Sequence, residues 1–133
     1  VGLTGTIVHF DGLVWDAMDS GTNRPLQAVW CRPGGEVVVV GDAGLALHGM
    51  PDNGRLVWES RGSGVSFPLF GLAGDSDGRV LGTGSNGLVL EYTGDKWTIL
   101  PTDRHDQLDA IACDPCGNLV CVGYWGLIIE YTE

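Results

Sequence analysis

The sequence predicts an all-β fold built from about three copies of one four-stranded antiparallel unit, and three observations carry that prediction. The first is a repeat. Val1-Gly2-Leu3-Thr4-Gly5 returns as Val40-Gly41-Asp42-Ala43-Gly44, as Thr83-Gly84-Ser85-Asn86-Gly87 and as Val122-Gly123-Tyr124-Trp125-Gly126, at offsets of 39, 43 and 39 residues. A fixed period of this size marks an array of stacked units. The second is the length and type of the apolar runs. Val37-Val38-Val39-Val40, Leu88-Val89-Leu90 and Leu127-Ile128-Ile129 are short, rich in β-branched residues and bounded by glycine, as strands are. The third is that no segment keeps a 3.6-residue period over ten residues; the 22 Gly and 6 Pro interrupt every candidate helix.

Each element follows from the repeat. The chain opens on a third strand near 5–10 and a fourth near 13–18. Full units then run through strands near 26–31, 36–41, 45–50 and 55–61, and near 69–74, 79–84, 88–93 and 96–101. A last unit supplies strands near 108–113, 119–124 and 127–132. Leu26, Leu69 and Leu108 share one phase, as do Ala28, Gly71 and Ala110, and Val29, Leu72 and Ile111. Gly35, Gly78 and Gly117 close a turn between the first and second strands. Trp15 and Trp97 each lie 14 residues past their Val/Thr-Gly start, and Trp58 lies 18 past because four residues are inserted near Met50–Gly54. Pro33-Gly34-Gly35, Asp75-Ser76-Asp77-Gly78, Asp11-Gly12 and Thr93-Gly94-Asp95 have hairpin-turn chemistry.

A four-stranded antiparallel unit of about 40 residues, repeated along a chain, matches a β-propeller blade. A lone blade leaves both sheet faces bare, so neighbours must stack on it. The expected organisation is one propeller-type domain over 1–133: a partial blade at 1–25, blades at 26–68 and 69–107, and a partial blade at 108–133. The tryptophan of the fourth strand is expected to wedge between adjacent sheets, with ligand stacking as the other use of such a ring. Propellers close with about four to eight blades, so three repeats need help. Copies of the chain joined head to tail, a longer propeller of which this is a part, or a stack docked on another protein would each supply it.

Composition removes several function classes. One Lys and six Arg against 17 acids give a net charge of −10, which repels phosphate backbones and argues against nucleic acid as a partner. No run approaches the ~20 apolar residues of a membrane span. No signal segment opens the chain, and the four cysteines look unpaired, which favours a reducing compartment such as cytoplasm, or a particle-associated location.

Phe10-Asp11-Gly12-Leu13-Val14-Trp15 and Tyr92-Thr93-Gly94-Asp95-Lys96-Trp97 resemble Asp-box (BNR-type) hairpins, in which a Gly and a Trp frame the turn between the third and fourth strands. The combined pattern of Leu-x-Ala-Val, Val-Gly-x-x-Gly and Gly-x-x-Trp is similar to BNR-like propellers, the photosystem II assembly-factor type among them. That resemblance implies a propeller fold and two function classes: a non-enzymatic binding and assembly scaffold, or a carbohydrate-binding or sialidase-like module with a glycan as partner.

Residues that carry chemistry are sparse. Cys113-Asp114-Pro115-Cys116 is one C-x-x-C. Structural zinc wants four ligands, and His9, His48 and His105 fall in other units. A local disulfide between Cys113 and Cys116 is the competing reading, and small apolar packing residues are the plainest reading of Cys31, Cys113 and Cys121. The Val-Gly-x-x-Gly turns join strand to strand and lack the helix of a phosphate cradle. Loop acids such as Asp75/Asp77 and Asp103/Asp106 read as solvated, and no catalytic residue, metal or cofactor is expected. The loops entering each unit, with the turns between second and third strands, gather Arg24, Asp42, Arg104, His105, Tyr124 and Trp125 on one rim. Tyr, Trp and Arg are the usual anchors of protein interfaces. Tyr124-Trp125 departs from the Leu3-Thr4, Asp42-Ala43 and Ser85-Asn86 pairs at its position, which makes this rim the expected binding surface for a protein partner or for other copies of the chain.

Overall fold

The computed structural model describes residues 1–93 and 95–132; Gly94, in the expected turn at 93–95, and Glu133 lie outside the described residues. Thirteen strands are arranged in four antiparallel sheets, with no α-helix among the described residues. The first sheet pairs β1 (Ile7–Phe10) with β2 (Trp15–Met18). The second runs β3 (Leu26–Cys31), β4 (Val37–Gly41), β5 (Ala46–Asp52) and β6 (Arg55–Ser60) in chain order. The third repeats that order with β7 (Leu69–Gly74), β8 (Val80–Gly84), β9 (Val89–Thr93) and β10 (Lys96–Leu100). The fourth has three strands, β11 (Leu108–Cys113), β12 (Leu119–Gly123) and β13 (Ile128–Tyr131).

The sheets pack face to face in chain order, which explains the unbroken valine run. Side chains alternate along a strand. Val38 and Val40 enter a core with Leu69, Val80, Leu90, Tyr92 and Trp97 of the third sheet. Val39 and Val37 point the other way, into a core with Ile7, Leu26, Leu47 and Trp58. A strand buried on both faces needs apolar residues at every position. The third and fourth sheets share a further core of Ala73, Leu81, Val89, Leu108, Ile111, Leu119 and Cys121. The first strands of successive sheets crowd together: a Cβ at Gly71 would stand 3.0 Å from Ala110 Cα, and one at Gly74 would meet Trp30 Nε1 at 2.4 Å. Those separations require the small residues that sequence places there.

Several features recur at the same phase. A register shift falls between Leu26 and Ala28, Leu69 and Gly71, and Leu108 and Ala110, a bulge that re-aims each first strand. Thr4, Ala43, Asn86 and Trp125 have φ of 57°, 54°, 61° and 61°, each followed by a left-handed glycine. The inserted four residues lengthen the β5–β6 hairpin, closed by Asn53 (φ 49°) and Gly54 (φ 77°) between Asp52 and Arg55; a two-residue turn with both residues left-handed is the one that matches strand twist.

The three equivalent tryptophans occupy equivalent places and unequal surroundings. Trp15 opposes Phe10, Trp58 opposes Gly49 and Trp97 opposes Tyr92, all five residues past the left-handed glycine of their unit. Trp97 is 8% exposed and wedged between the second and third sheets. Trp58 is partly buried against the first. Trp15 is 68% exposed and does not fill the expected wedge, because no sheet precedes its own among the described residues.

Candidate functional site

The rim is built by loops clamped to turns. Backbone N–H groups of Leu26, Asp42, Ser85 and Tyr124 donate to carbonyls of Gly2, Pro25, Pro68 and Gln107 at 3.0–3.2 Å. On the opposite side of each turn, a Cβ at Gly5, Gly44 or Gly87 would meet the carbonyl of Thr22, Val65 or Arg104 at 1.9–2.1 Å. Ser20, Ser63 and Thr102, at one phase of the repeat, fix the loops: their hydroxyls accept from the N–H groups of Thr22, Val65 and Arg104. The Ser63 and Thr102 hydroxyls donate to the Gly44 and Gly87 carbonyls at 2.5 and 2.7 Å.

Arg24, His105, Tyr124 and Trp125 are exposed on this surface, and Trp125 is 96% exposed. Asp42 accepts from Gln27 Nε2 at 3.0 Å. Arg104 pairs with Asp106 at 3.1 Å. The Gln107 carbonyl ties the loop of Arg104 and His105 to Tyr124, and the Pro25 carbonyl ties the loop of Arg24 to Asp42. The six residues thus form two groups, Arg24 with Asp42, and Arg104 and His105 with Tyr124 and Trp125, and three clefts elsewhere are lined by other residues. An exposed ring held at φ 61° is an unusual use of Trp, since left-handed backbone disfavours large side chains.

Sequence reasoning missed a polar cluster inside the stack. His48 is wholly buried between the second and third sheets, its Nδ1 2.8 Å from Glu36 Oε1. Arg32 donates to the other Glu36 oxygen and lies over the Tyr92 ring at 5.6 Å. Arg61 donates to the Tyr92 hydroxyl and, at 2.6 Å, to Glu59. Burial lowers the His48 pKa, and the Glu36 carboxylate offsets only part of that. Burial raises Glu36, and the hydrogen bonds from His48 and Arg32 outweigh it, leaving the carboxyl below its ordinary range. A neutral imidazole donating from Nδ1 to a carboxylate fits both directions. The His48 ring lies 4.5 Å from the Tyr92 ring between centroids, and its Nε2 has no hydrogen-bond partner among the described residues. In the next unit Arg79 and Glu91 take the places of Glu36 and His48, 3.5 Å apart, and Arg79 donates to the Gly117 carbonyl in the β11–β12 turn at 3.2 Å. The position is therefore a polar clasp between sheets, and alternating charge at one phase was its only trace in sequence.

The cysteines are free thiols. Cys121 packs in the third core, while Cys31 and Cys116 are exposed, contrary to a packing role for Cys31. Among the described residues no three of His, Cys, Asp or Glu converge as a metal-ligand set, and no helix is long and apolar enough to cross a membrane. A scan against models of protein families gives no match, and a search of curated proteins returns no similar sequence.

Proposed function

We propose that the chain is a run of BNR-like β-propeller blades acting as a non-enzymatic binding and assembly scaffold, with copies of itself or another protein as partner. One observation supports it above the others: both end faces of the stack keep the apolar character of the internal faces. Ile7 enters the first core, so Val8 and Phe10 point away from it, with Trp15 stacked on Phe10 at 5.1 Å. Leu119, Cys121 and Ile129 enter the last core, so Val120, Val122 and Ile128 point outward and are exposed. In stacked repeats a neighbour covers each apolar face, and these two faces carry valine, isoleucine and aromatic rings. The rim with Tyr124 and Trp125 supplies a second surface for a partner.

Light scattering across a concentration series tests the reading. Self-association is expected, and it is expected to weaken in Phe10→Glu and in Ile128→Glu. A pure monomer at every concentration, unchanged by either substitution, overturns assembly through the end faces.

A further inference from the structure

The geometry points to an acceptor site for an extended, tryptophan-bearing strand on the edge of β13 that is unpaired among the described residues. A cleft of about 520 Å³ opens between the third and fourth sheets, lined among others by Val89, Leu100, Leu119, Cys121, Ile129 and Tyr131. The corresponding space one sheet earlier is filled. There Leu90 and Tyr92 stand where Ile129 and Tyr131 stand in the fourth sheet, and Trp97 inserts beside them, its ring 5.1 Å from Tyr92. Trp97 lies 3.6 Å from the place of a Cβ on Gly82, whose counterpart in the cleft is Cys121. The cleft therefore occupies the position of a fourth-strand indole.

The backbone is equally prepared. The edges of β5 and β9 that match the free edge of β13 pair antiparallel with β6 and β10. Among the described residues β13 pairs with β12 alone. An open edge presents unpaired N–H and C=O groups to an incoming strand, and strand addition takes its affinity from those groups and its specificity from side-chain pockets. The occupant is thus an extended peptide carrying Trp with the spacing of this chain's own fourth strands. The site follows from the repeat register and is independent of association through the end faces.

A dye-labelled peptide of the sequence 93–101, Thr-Gly-Asp-Lys-Trp-Thr-Ile-Leu-Pro, added to the chain of residues 1–133, tests the site. Saturable binding by fluorescence anisotropy is expected, at least tenfold weaker for the peptide with Trp replaced by Ala. Hydrogen exchange is expected to slow in residues 127–132 on binding. Absence of saturation, indifference to the Trp, or slowed exchange elsewhere would overturn the site. Exchange at 127–132 that slows with protein concentration in the absence of peptide would mean that another copy holds the edge, and would overturn the assignment to a free strand.

Discussion

Three tryptophans at one phase of the repeat, under three degrees of cover, allow a stability experiment with an internal control. Replacing Trp97 by Ala removes an indole that is 8% exposed and packed against Tyr92 at 5.1 Å and His48 at 6.1 Å. Buried aromatic truncations cost about 3–5 kcal/mol, and aromatic pairs add about 0.5–1.5 kcal/mol beyond area burial, so about 4 kcal/mol is expected. Trp15→Ala removes a ring that is 68% exposed and stacks on Phe10; it should cost about 1 kcal/mol or less. Trp58, partly buried over Gly49, should fall between. Urea unfolding followed by far-UV circular dichroism, in dilute protein, reads the three costs without depending on indole fluorescence. A cost below about 1 kcal/mol for Trp97→Ala, or equal costs at 15 and 97, would refute the claim that these rings stabilise by wedging between sheets. Concentration separates the folding term from assembly: if the first sheet is covered by a partner copy, the Trp15→Ala cost should rise with protein concentration.

Acid should destabilise the fold in two stages. His48 is held below its ordinary 6.5, so the unfolded chain takes up its proton first and stability falls as pH drops below about 6.5. Glu36 is held below 4.5, and its contribution is lost as pH falls further, through its folded value. Urea midpoints should fall as pH drops below about 6.5 and again below about 4.5, with the upper stage missing in His48→Gln; a midpoint that rises between pH 7 and 5 would mean Glu36 holds an imidazolium. Gly44 and Gly126 share φ of 70° and 73°, yet a Cβ meets the Val65 carbonyl at 1.9 Å at the first and nothing within 4 Å at the second. Gly126→Ala should therefore cost only the left-handed penalty of about 1–2 kcal/mol. Gly44→Ala should cost more because loop and turn must part, and equal thermal midpoints for the two variants would refute the clamp.

What could be read from sequence was set by whether a position keeps its chemistry from copy to copy. The first strands fall at 26–31, 69–74 and 108–113 as expected, because Leu opens each and a Gly-closed turn follows. The bulge one residue later left no signal: the extra residue is Gln27, Phe70 or Asp109, and nothing but backbone unites them. The polar clasp was hidden for a related reason. Glu36, Arg79 and Asn118 keep polarity while charge runs from negative to positive to none, so a search for one charge type passes over them. The tryptophan phase was legible, but burial was not, since cover is a property of the neighbouring sheet rather than of the residue. The rim residues lie on loops and turns as expected, because Gly and Pro mark those positions, whereas their division into two groups depends on which carbonyl each turn finds.

The charge balance bears on how apolar ends remain compatible with a well-behaved protein. Contiguous exposed valine, isoleucine and aromatic rings invite indiscriminate association. A net charge of −10 on 133 residues opposes it, because every copy repels every other at long range. Repulsion of that kind is screened within about 10 Å at 0.1 M salt, whereas apolar burial at a fitted face is not. Only partners that match the end face closely gain enough to overcome the remaining charge. The acidic surface and the apolar ends are then two parts of one arrangement: the first suppresses loose encounters, and the second rewards a sheet that stacks in register. Association through the end faces should accordingly strengthen with added salt, which is the opposite of what an ion-paired interface would do.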